Sequence, residues 1–235
     1  MGTTLVLLPG LDGTGRLFAP LLAELPSWIE PLVLAYPAEP LGYADLVERL
    51  FPRLPTDRPF FILGESFGGP LALMLATRSP PGLQGVVLVC TFVRYPSFLP
   101  RAIARRLGAL LALAPRPDFL VRQVLVGADA PRALLDALRD ARSTVAPDTL
   151  ARRIREGVDV DARRDLADIR VPILCISASA DRLVPHRATD EIRSLRPDAT
   201  YVELAAPHVL LARCPAEAVS SIATWLAAGG NASSR

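Results

Sequence analysis

FFILGESFGGP, residues 60–70, is the stretch that decides the fold. It opens with an apolar run of strand character, and a run of helical character, residues 71–78, follows it. Between them lies the pattern G-x-S-x-G, which in a strand–turn–helix context places its serine on a sharp, exposed turn. Gly64 and Gly68 carry no side chain, so the backbone can turn there without a clash. The stretch therefore predicts Ser66 as a nucleophile in front of the positive end of a helix.

The same pattern also occurs in glycine-rich turns whose serine has no chemical role. A serine nucleophile needs a base, usually a histidine oriented by a carboxylate, and on this kind of turn the acid and then the histidine follow it in the chain. The chain has two histidines, and His208 follows the strand-like run 200–205. His186 stands at a predicted helix start, where the dipole disfavours a charged imidazole and a surface role explains it. We predict His208 as the base.

Asp181 is the acidic residue that comes soonest after the strand-like run 173–179. It also suits the cap of the following helix, and Asp190 or Asp161 remain alternatives for the acid. Asp181 is preferred because it follows a strand, as Ser66 and His208 do. Three residue types in the required order and placement favour a nucleophile at position 66 over an incidental serine.

Acyl transfer also requires donors for the oxyanion of the tetrahedral intermediate. The backbone N–H of Phe67, directly after the serine, is one predicted donor. The other is predicted in the loop after the first strand, at the N–H of Leu11, because Gly10 lets the backbone approach closely.

Strand-like and helix-like runs alternate along the chain, which predicts a mostly parallel sheet flanked by helices, an α/β fold. The predicted strands are 3–8, 32–35, 60–63, 86–90, 172–177 and 200–204. The predicted helices outside the middle of the chain are 17–25, 43–54 (with Pro52 distorting or ending it), 71–78, 187–195 and 216–228.

The middle of the chain breaks this alternation. Residues 94–167 contain no convincing strand and four predicted helices, at 98–113, 118–126, 131–142 and 147–157. We predict a core of residues 1–93 and 168–228, a helical lid of residues 94–167 over the carboxyl ends of the strands, and a disordered tail at 229–235. The candidates for lining a pocket from the lid are Phe98, Leu99, Leu110, Phe119, Leu120 and Val124.

Composition excludes several classes of protein. The 235 residues are 51% hydrophobic with a mean hydropathy of +0.32, yet no apolar run reaches the roughly 18–20 residues that cross a bilayer. Because Thr3 already enters a strand pattern, no signal peptide is expected, and we expect a cytoplasmic protein without membrane insertion. The net charge is only +2 and every basic residue is arginine, mostly in mixed-charge helices, so nucleic acid is not an expected partner.

The few metal-binding side chains predict no metal site. The three cysteines include no C-x-x-C pair, and two histidines are too few for a typical zinc site. Cys90 and Cys175 lie in apolar strand-like runs, so they are predicted to be buried thiols.

Four segments together resemble the α/β-hydrolase superfamily: LLPGLDGTG (7–15), GESFGG (64–69), SASADRLVP (177–185) and PHVLLARCP (207–215). The first two are similar to phytyl-ester-synthase-like acyl hydrolases and transferases, and the compact layout with a lid resembles pimeloyl-carrier methyl esterases. The resemblance spans nearly the whole chain and implies Ser66 as nucleophile, Asp181 as acid, His208 as base and no cofactor.

The sequence departs from that family in three places. Many members have His-Gly in the first loop and Gly-His at the base, where this chain has Pro9-Gly10 and Pro207-His208. The N-terminal hairpin of the family is expected to be absent, because Thr3 lies in what would be the third family strand. The serine at position 66 excludes the aspartate nucleophile of dehalogenases and epoxide hydrolases.

The hypothesis that follows is a serine hydrolase that cleaves a small-molecule carboxylic ester with a small-to-medium apolar acyl group through an acyl-enzyme. An acyltransferase, thioesterase or perhydrolase with the same three residues is the nearest alternative. A ligand-binding protein that kept the fold without catalysis is the alternative from another class. The oligomeric state does not follow from the sequence.

Overall fold

The structure, a computed structural model, describes residues 2–96, 100–113 and 117–230. Six strands in these ranges form one sheet: β1 (Thr3–Leu8), β2 (Ile29–Val33), β3 (Phe60–Glu65), β4 (Leu83–Val89), β5 (Ile173–Ala178) and β6 (Thr200–Leu204). Their order is β2-β1-β3-β4-β5-β6, and each neighbouring pair is parallel. The predicted α/β architecture with a mostly parallel sheet is confirmed.

Residues 94–167, the predicted lid, are called the middle segment below. The α-helices before it are α1 (Ala19–Glu24), α2 (Tyr43–Leu50) and α3 (Gly68–Thr77). The middle segment holds α4 (Arg101–Leu113), α5 (Asp118–Val121), α6 (Arg132–Ser143), α7 (Pro147–Asp159) and α8 (Arg163–Asp168). After β5 come α9 (His186–Leu195), α10 (Leu210–Arg213) and α11 (Pro215–Ala227). Of the predicted tail, residues 231–235 lie outside the described residues.

Helices cover both faces of the sheet, which explains why its inner strands are apolar without alternation. In β1, Leu5 and Leu7 join a core with α1, α10 and α11. Val6 and Leu8 point the other way, into a core with α2, α3, α8 and α9. Cys90 and Cys175 are buried free thiols, as predicted.

Element boundaries depart from prediction at polar or exposed positions. β2 runs Ile29–Val33 instead of 32–35, because it is an edge strand whose exposed Glu30 and Pro31 hide its strand character. The predicted helix 43–54 ends at Leu50 and continues as a 3₁₀ turn, Phe51–Arg53, that contains Pro52. The short helices α8 and α10 were not predicted.

Among its described residues, the middle segment forms helices, as predicted, and one antiparallel bridge between Arg94 and Asp161. Helix α5 continues into a π-helical turn, Arg122–Val126, where a single helix was predicted. Residues 97–99, which include Phe98 and Leu99, lie outside the described residues. The role of this segment as a lid, and the domain limits drawn around it, stay predictions.

The strand order places a crevice at the carboxyl edge of the sheet. β2 and β3 lie on opposite sides of β1, so the connections after β1 and β3 diverge there. The loops after β1, β3, β5 and β6 all leave from this edge because the strands are parallel. Within the described ranges, the helices are all too short or too polar to cross a membrane.

Candidate active site

Ser66 occupies a strained turn between β3 and α3. Its φ is +52°, in the left-handed region that residues with a side chain rarely adopt. Three hydrogen bonds hold the turn: Ser66 N–H donates to Val89 O (2.9 Å), and the Ser66 carbonyl accepts from Gly69 N–H (3.0 Å) and the Thr91 hydroxyl (2.5 Å). Strain of this kind persists where the surrounding structure over-determines the conformation, which is common at active sites.

The glycines of the turn are required by close backbone contacts. A Cβ on Gly64 would lie 2.3 Å from the Gly68 carbonyl oxygen. A Cβ on Gly68 would lie 2.4 Å from the Leu8 carbonyl oxygen at the end of β1. The turn therefore packs directly against the loop that follows β1.

A chain of hydrogen bonds joins Ser66, His208 and Asp181. His208 Nε2 lies 2.9 Å from Ser66 Oγ, and His208 Nδ1 lies 2.7 Å from Asp181 Oδ2. The side chains of His208 and Asp181 are only 7% and 4% exposed. With a carboxylate at Nδ1, the favoured tautomer has Nδ1–H donating to Asp181 and Nε2 accepting from the Ser66 hydroxyl. This arrangement can withdraw a proton from Ser66.

Asp181 is oriented by its own loop after β5. Its Oδ1 accepts from the backbone N–H groups of Leu183 and Val184, each at 2.8 Å. These two bonds occupy one carboxylate oxygen and leave Oδ2 directed at His208. The backbone of the base loop is held as well, since the Val209 N–H donates to the Leu125 carbonyl at 3.0 Å.

The alternative acids and base lie elsewhere in the structure. His186 begins α9, is half-exposed, and contacts Glu203 and Asp190. Asp161 accepts from the Arg163 guanidinium. The structure thus brings together Ser66, Asp181 and His208, and their catalytic roles stay predictions.

The two predicted oxyanion donors flank Ser66. Neither the Leu11 N–H nor the Phe67 N–H donates to another group among the described residues. A Cβ on Gly10, beside Leu11, would lie 3.8 Å from Ser66 Cβ, so the first loop passes close to the nucleophile. Free amides at this position are what an oxyanion hole requires.

Tyr43 contacts Phe67, the residue directly after Ser66, through a hydrogen bond and ring stacking. Its hydroxyl donates to the Phe67 carbonyl at 3.0 Å, and the two rings stack with centroids 4.4 Å apart. The Tyr43 N–H donates to Glu156 Oε2 on α7 at 3.0 Å. The sequence offered no signal for this support, because its partners are more than twenty residues apart.

A cavity of about 400 Å³ lies in front of Ser66. Ser66, His208, Gly10 and Leu11 form part of its wall. The middle segment contributes apolar side chains to the opposite wall: Val121, Leu125, Leu135, Leu138, Val145 and Leu150.

The prediction of which side chains line the pocket was wrong for the three candidates that the structure describes. Phe119 and Leu120 are 63% and 46% exposed, and neither they nor Val124 are part of the cavity wall. The helical phase there directs Val121 and Leu125 inwards instead. The other candidates, Phe98, Leu99 and the Leu110 side chain, lie outside the described part of the chain.

Glu65, directly before the nucleophile, forms part of the cavity wall and was missed by the sequence reasoning. It is 7% exposed, and its carboxyl group makes no hydrogen bond to the described residues. Burial, with a smaller contribution from the charge of Asp12, raises the pKa of Glu65 to about 8. The side chain is therefore a neutral acid at pH 7.

The described residues contain no group of three or more histidine, cysteine or acidic side chains arranged to hold a metal ion.

Comparison with known proteins supports a hydrolase. Residues 43–203, more than half of the chain, match the model of the family described as Serine aminopeptidase, S33. A pimeloyl-[acyl-carrier protein] methyl ester esterase of Neisseria meningitidis is 31% identical over 140 residues, which are 56% of this chain and 55% of that enzyme. A putative carbamate hydrolase, RutD, of a Caulobacter species is 25% identical over 215 residues, 84% of this chain and 80% of that protein.

A third relative is much longer than this chain. The polyketide synthase ThaQ of Burkholderia thailandensis is 29% identical over 224 residues, which are 87% of this chain but 11% of the synthase. The chain thus spans about a tenth of that protein and about half of the methyl ester esterase.

Solved structures share the fold at low sequence identity. An esterase from Exiguobacterium antarcticum superposes with a TM-score of 0.83 at 14% identity, over 96% of this chain and 92% of that one. The enol-lactonase of Burkholderia xenovorans superposes with a TM-score of 0.76 at 23% identity, over 97% and 92% of the two chains. These similarities show the α/β-hydrolase fold.

Proposed function

The chain belongs to the serine aminopeptidase S33 family of α/β-hydrolases, and from this premise we propose that it cleaves a small-molecule carboxylic ester with a small-to-medium apolar acyl group. Ser66 is the nucleophile, His208 the base and Asp181 the residue that orients it. No cofactor is needed for this chemistry. We place the reaction in the cytoplasm, with no nucleic acid and no membrane insertion.

The observation that carries the proposal is the hydrogen-bonded chain from Ser66 Oγ to His208 Nε2 (2.9 Å) and from His208 Nδ1 to Asp181 Oδ2 (2.7 Å) beside a cavity. Such a chain lowers the barrier to attack because the proton of a weak nucleophile has an acceptor in place. Burial of His208 and Asp181 strengthens their interaction relative to water.

The reaction proceeds in two halves. Ser66 Oγ attacks the ester carbonyl carbon as its proton passes to His208 Nε2, and the N–H groups of Leu11 and Phe67 bind the oxyanion. His208 then donates that proton to the leaving alkoxide as the C–O bond breaks. Water, deprotonated by His208, attacks the acyl-enzyme, and the acid is released with regeneration of the Ser66 hydroxyl. Each oxyanion donor contributes about 2.7–4 kcal/mol in comparable sites.

The preference for an apolar acyl group rests on the cavity wall. Leucine and valine side chains from α5, α6, α7 and the turns between them face the space in front of Ser66. An ester, rather than another acyl derivative, is proposed because the methyl ester esterase of Neisseria meningitidis is 31% identical over the part that aligns. Residues 94–167 are proposed to act as the lid that excludes water from this space.

The test is turnover of a panel of p-nitrophenyl esters of graded acyl length by the wild type and the Ser66→Ala variant. We expect saturable hydrolysis by the wild type and loss of at least about 10⁴-fold in kcat for Ser66→Ala. A fluorophosphonate probe should label the wild type at Ser66 alone. Ser179→Ala, at an exposed serine after β5, is the matched control and should keep both properties.

Two results would overturn the proposal in different ways. Turnover no greater than that of Ser66→Ala, with saturable binding of esters, would indicate a binding protein. Faster reaction with thioesters, with an added alcohol or with peroxide would assign the same three residues to a thioesterase, an acyltransferase or a perhydrolase.

A further inference from the structure

Arg153 is the most deeply buried charged side chain among the described residues outside the proposed triad. It lies on α7, in the middle segment, and is 2% exposed. Its position is unexpected for an arginine, because burying an unpaired cation costs several kcal/mol. Burial accordingly lowers the pKa of the Arg153 guanidinium.

The guanidinium binds backbone carbonyl groups, mostly in one loop. Nη1 donates to the carbonyls of Asp12 (2.6 Å) and Leu11 (3.2 Å) after β1, and Nη2 donates to the Pro37 carbonyl at 2.9 Å. In the described ranges the guanidinium has no carboxylate at ion-pair distance. Arg153 therefore exchanges its hydration for contacts to main-chain oxygens.

A second side chain holds the same loop from the other end. The Tyr36 hydroxyl donates to the Pro9 carbonyl at 2.5 Å. The Arg153 guanidinium carbon lies 5.3 Å from the centre of the Tyr36 ring, so the two holding groups also contact each other.

These contacts bracket one peptide group. The peptide that carries the Leu11 N–H joins Gly10 to Leu11. The preceding peptide group contains the Pro9 carbonyl, which accepts from the Tyr36 hydroxyl. The following peptide group contains the Leu11 carbonyl, which accepts from Arg153 Nη1. The carbonyl of the Gly10–Leu11 peptide also accepts from the Gly13 N–H at 3.1 Å. Because Gly10 is flexible, the direction of the Leu11 N–H depends on this turn together with the contacts of Tyr36 and Arg153.

We propose that Arg153 is a positioning residue that aims the Leu11 N–H at the oxyanion through its bonds to the Leu11 and Asp12 carbonyls. The proposal rests on the proposed function, in which Leu11 is an oxyanion donor. It goes beyond that function by assigning a role in the chemical step to a side chain of the middle segment that touches no substrate atom.

The proposal predicts that loss of the Arg153 contacts weakens binding of the transition state more than binding of the substrate. An N–H that is aimed only at the oxyanion acts when the tetrahedral intermediate forms, so its misplacement lowers kcat more than it changes KM. A loss confined to stability would lower the amount of folded enzyme, and with it the apparent kcat at unchanged KM, but it would leave the affinities of the folded enzyme for ligands unchanged.

The experiment compares Arg153→Lys, Tyr36→Phe and Arg155→Lys. Lysine keeps the charge but loses the planar fork that contacts three carbonyls. Tyr36→Phe removes the bond to the Pro9 carbonyl without touching the buried charge. Arg155 is exposed on the same helix and is the matched control. For each variant we would measure thermal unfolding, kcat, KM, and the affinity for two ligands. An alkyl boronic acid forms a tetrahedral adduct with serine, and the corresponding N-methyl amide mimics the substrate.

For Arg153→Lys we expect kcat to fall about 10- to 100-fold. This decrease is no larger than the one caused by complete removal of an oxyanion donor. Boronate affinity should fall by the same factor while amide affinity is retained. Tyr36→Phe should show the same pattern to a smaller extent, and Arg155→Lys should match the wild type.

Equal weakening of boronate and amide binding, or unchanged kcat in folded Arg153→Lys and Tyr36→Phe, would overturn the proposal. If Arg153→Lys does not fold, Tyr36→Phe alone decides. Failure of the wild type to turn over any ester would overturn the proposed function, and the boronate-to-amide ratio would still decide the role of Arg153. A wild type that binds no boronate would overturn both.

Discussion

At the scale of single residues, Asp181 divides its two oxygens between two tasks. Oδ1 accepts from the N–H groups of Leu183 and Val184, and Oδ2 accepts from His208. The division means that orientation of the carboxylate does not depend on the histidine. It also means that the two oxygens are not interchangeable, so an NH₂ group that replaces one of them has a preferred position.

Asp181→Asn tests this division. The amide oxygen would keep the bonds to Leu183 and Val184, which turns the NH₂ group towards His208 Nδ1. Nδ1 must then accept, so Nε2 carries the proton and cannot accept one from Ser66. We expect kcat at neutral pH to fall about 10⁴-fold with a nearly unchanged melting temperature. Asp190→Asn, beside His186, is the control, and comparable losses in both variants would contradict the assignment.

Glu65 predicts a pH dependence of stability. Its pKa rises from 4.5 to about 8 on folding because the carboxyl group is buried. Between these values the unfolded chain has lost the proton and the folded chain keeps it, so stability falls as pH rises through this window and the full penalty is present above it. Glu65→Gln, which cannot ionise, should therefore raise the melting temperature at pH 8–9 and leave it nearly unchanged near pH 4.

Thermal unfolding across pH measures the effect of Glu65. The exposed Glu39 provides the control, since Glu39→Gln should change the melting temperature equally little at both ends of the range. A gain for Glu65→Gln that is constant with pH would show that the substitution acts through packing instead of charge.

At the scale of elements, the unit β3–turn–α3 fits against β1 without spare volume. A Cβ at Gly68 would meet the carbonyl oxygens of Leu8 and Pro9 at 2.4 and 2.8 Å, and neither belongs to a side chain that can rotate away. We expect Gly68→Ala to lower the free energy of unfolding by about 1–3 kcal/mol. Denaturant unfolding measures this loss.

Gly157→Ala is the matched control. Gly157 lies inside α7, and a Cβ there meets its nearest neighbour at 3.7 Å, an ordinary contact. We expect this substitution to stabilise the protein by about 0.5–1 kcal/mol, because alanine favours a helix over glycine. Destabilisation of both variants by the same amount would contradict the steric argument.

Prediction from sequence succeeded for elements whose side chains are buried on both faces. β1, β3 and β5 show as apolar runs, and Ser66 and Asp181 were predicted as site residues because each follows such a strand. His208 was predicted because it follows β6, an edge strand that is only partly buried. The structure brings the three side chains together, and their catalytic roles stay predictions. Prediction from sequence displaced the bounds of the edge strand β2 and missed the short helix α8, both of which have polar residues that face solvent. Periodicity carries little information at such positions.

The supports of the candidate site were not predictable in the same way. Arg153 binds carbonyl groups of residues more than 110 positions away, and backbone carbonyls leave no trace in a sequence. Glu65 was passed over as the variable position of G-x-S-x-G, although its burial gives it an unusual pKa. Such residues emerge only when the packing is known.

At the scale of the whole molecule, the proposed function predicts that the cavity between the sheet and the middle segment limits the length of the acyl chain. Leu138 on α6 forms part of its wall. Leu138→Trp should fill the cavity and lower kcat/KM for octanoyl esters roughly 10-fold or more, while acetyl esters change far less. Rates on matched p-nitrophenyl esters measure this shift.

Leu120→Trp is the control for the cavity. Leu120 is 46% exposed on the same segment and is not part of the cavity wall. The same loss of octanoyl activity in this variant would mean that the cavity does not hold the acyl chain.

The helices of the middle segment should differ in how well they tolerate substitution, with α7 the least tolerant. Through Arg153 it holds the loop of Leu11, and through Glu156 and Tyr43 it is linked to Phe67 on the other side of the nucleophile. Helices α5 and α6 mainly supply cavity walls. Libraries that seek new substrates should therefore randomise the inward positions of α5 and α6 and leave Arg153 and Glu156 fixed. If the proposed roles hold, homologues that keep the activity should vary more in α5 and α6 than at Arg153 and Glu156 of α7.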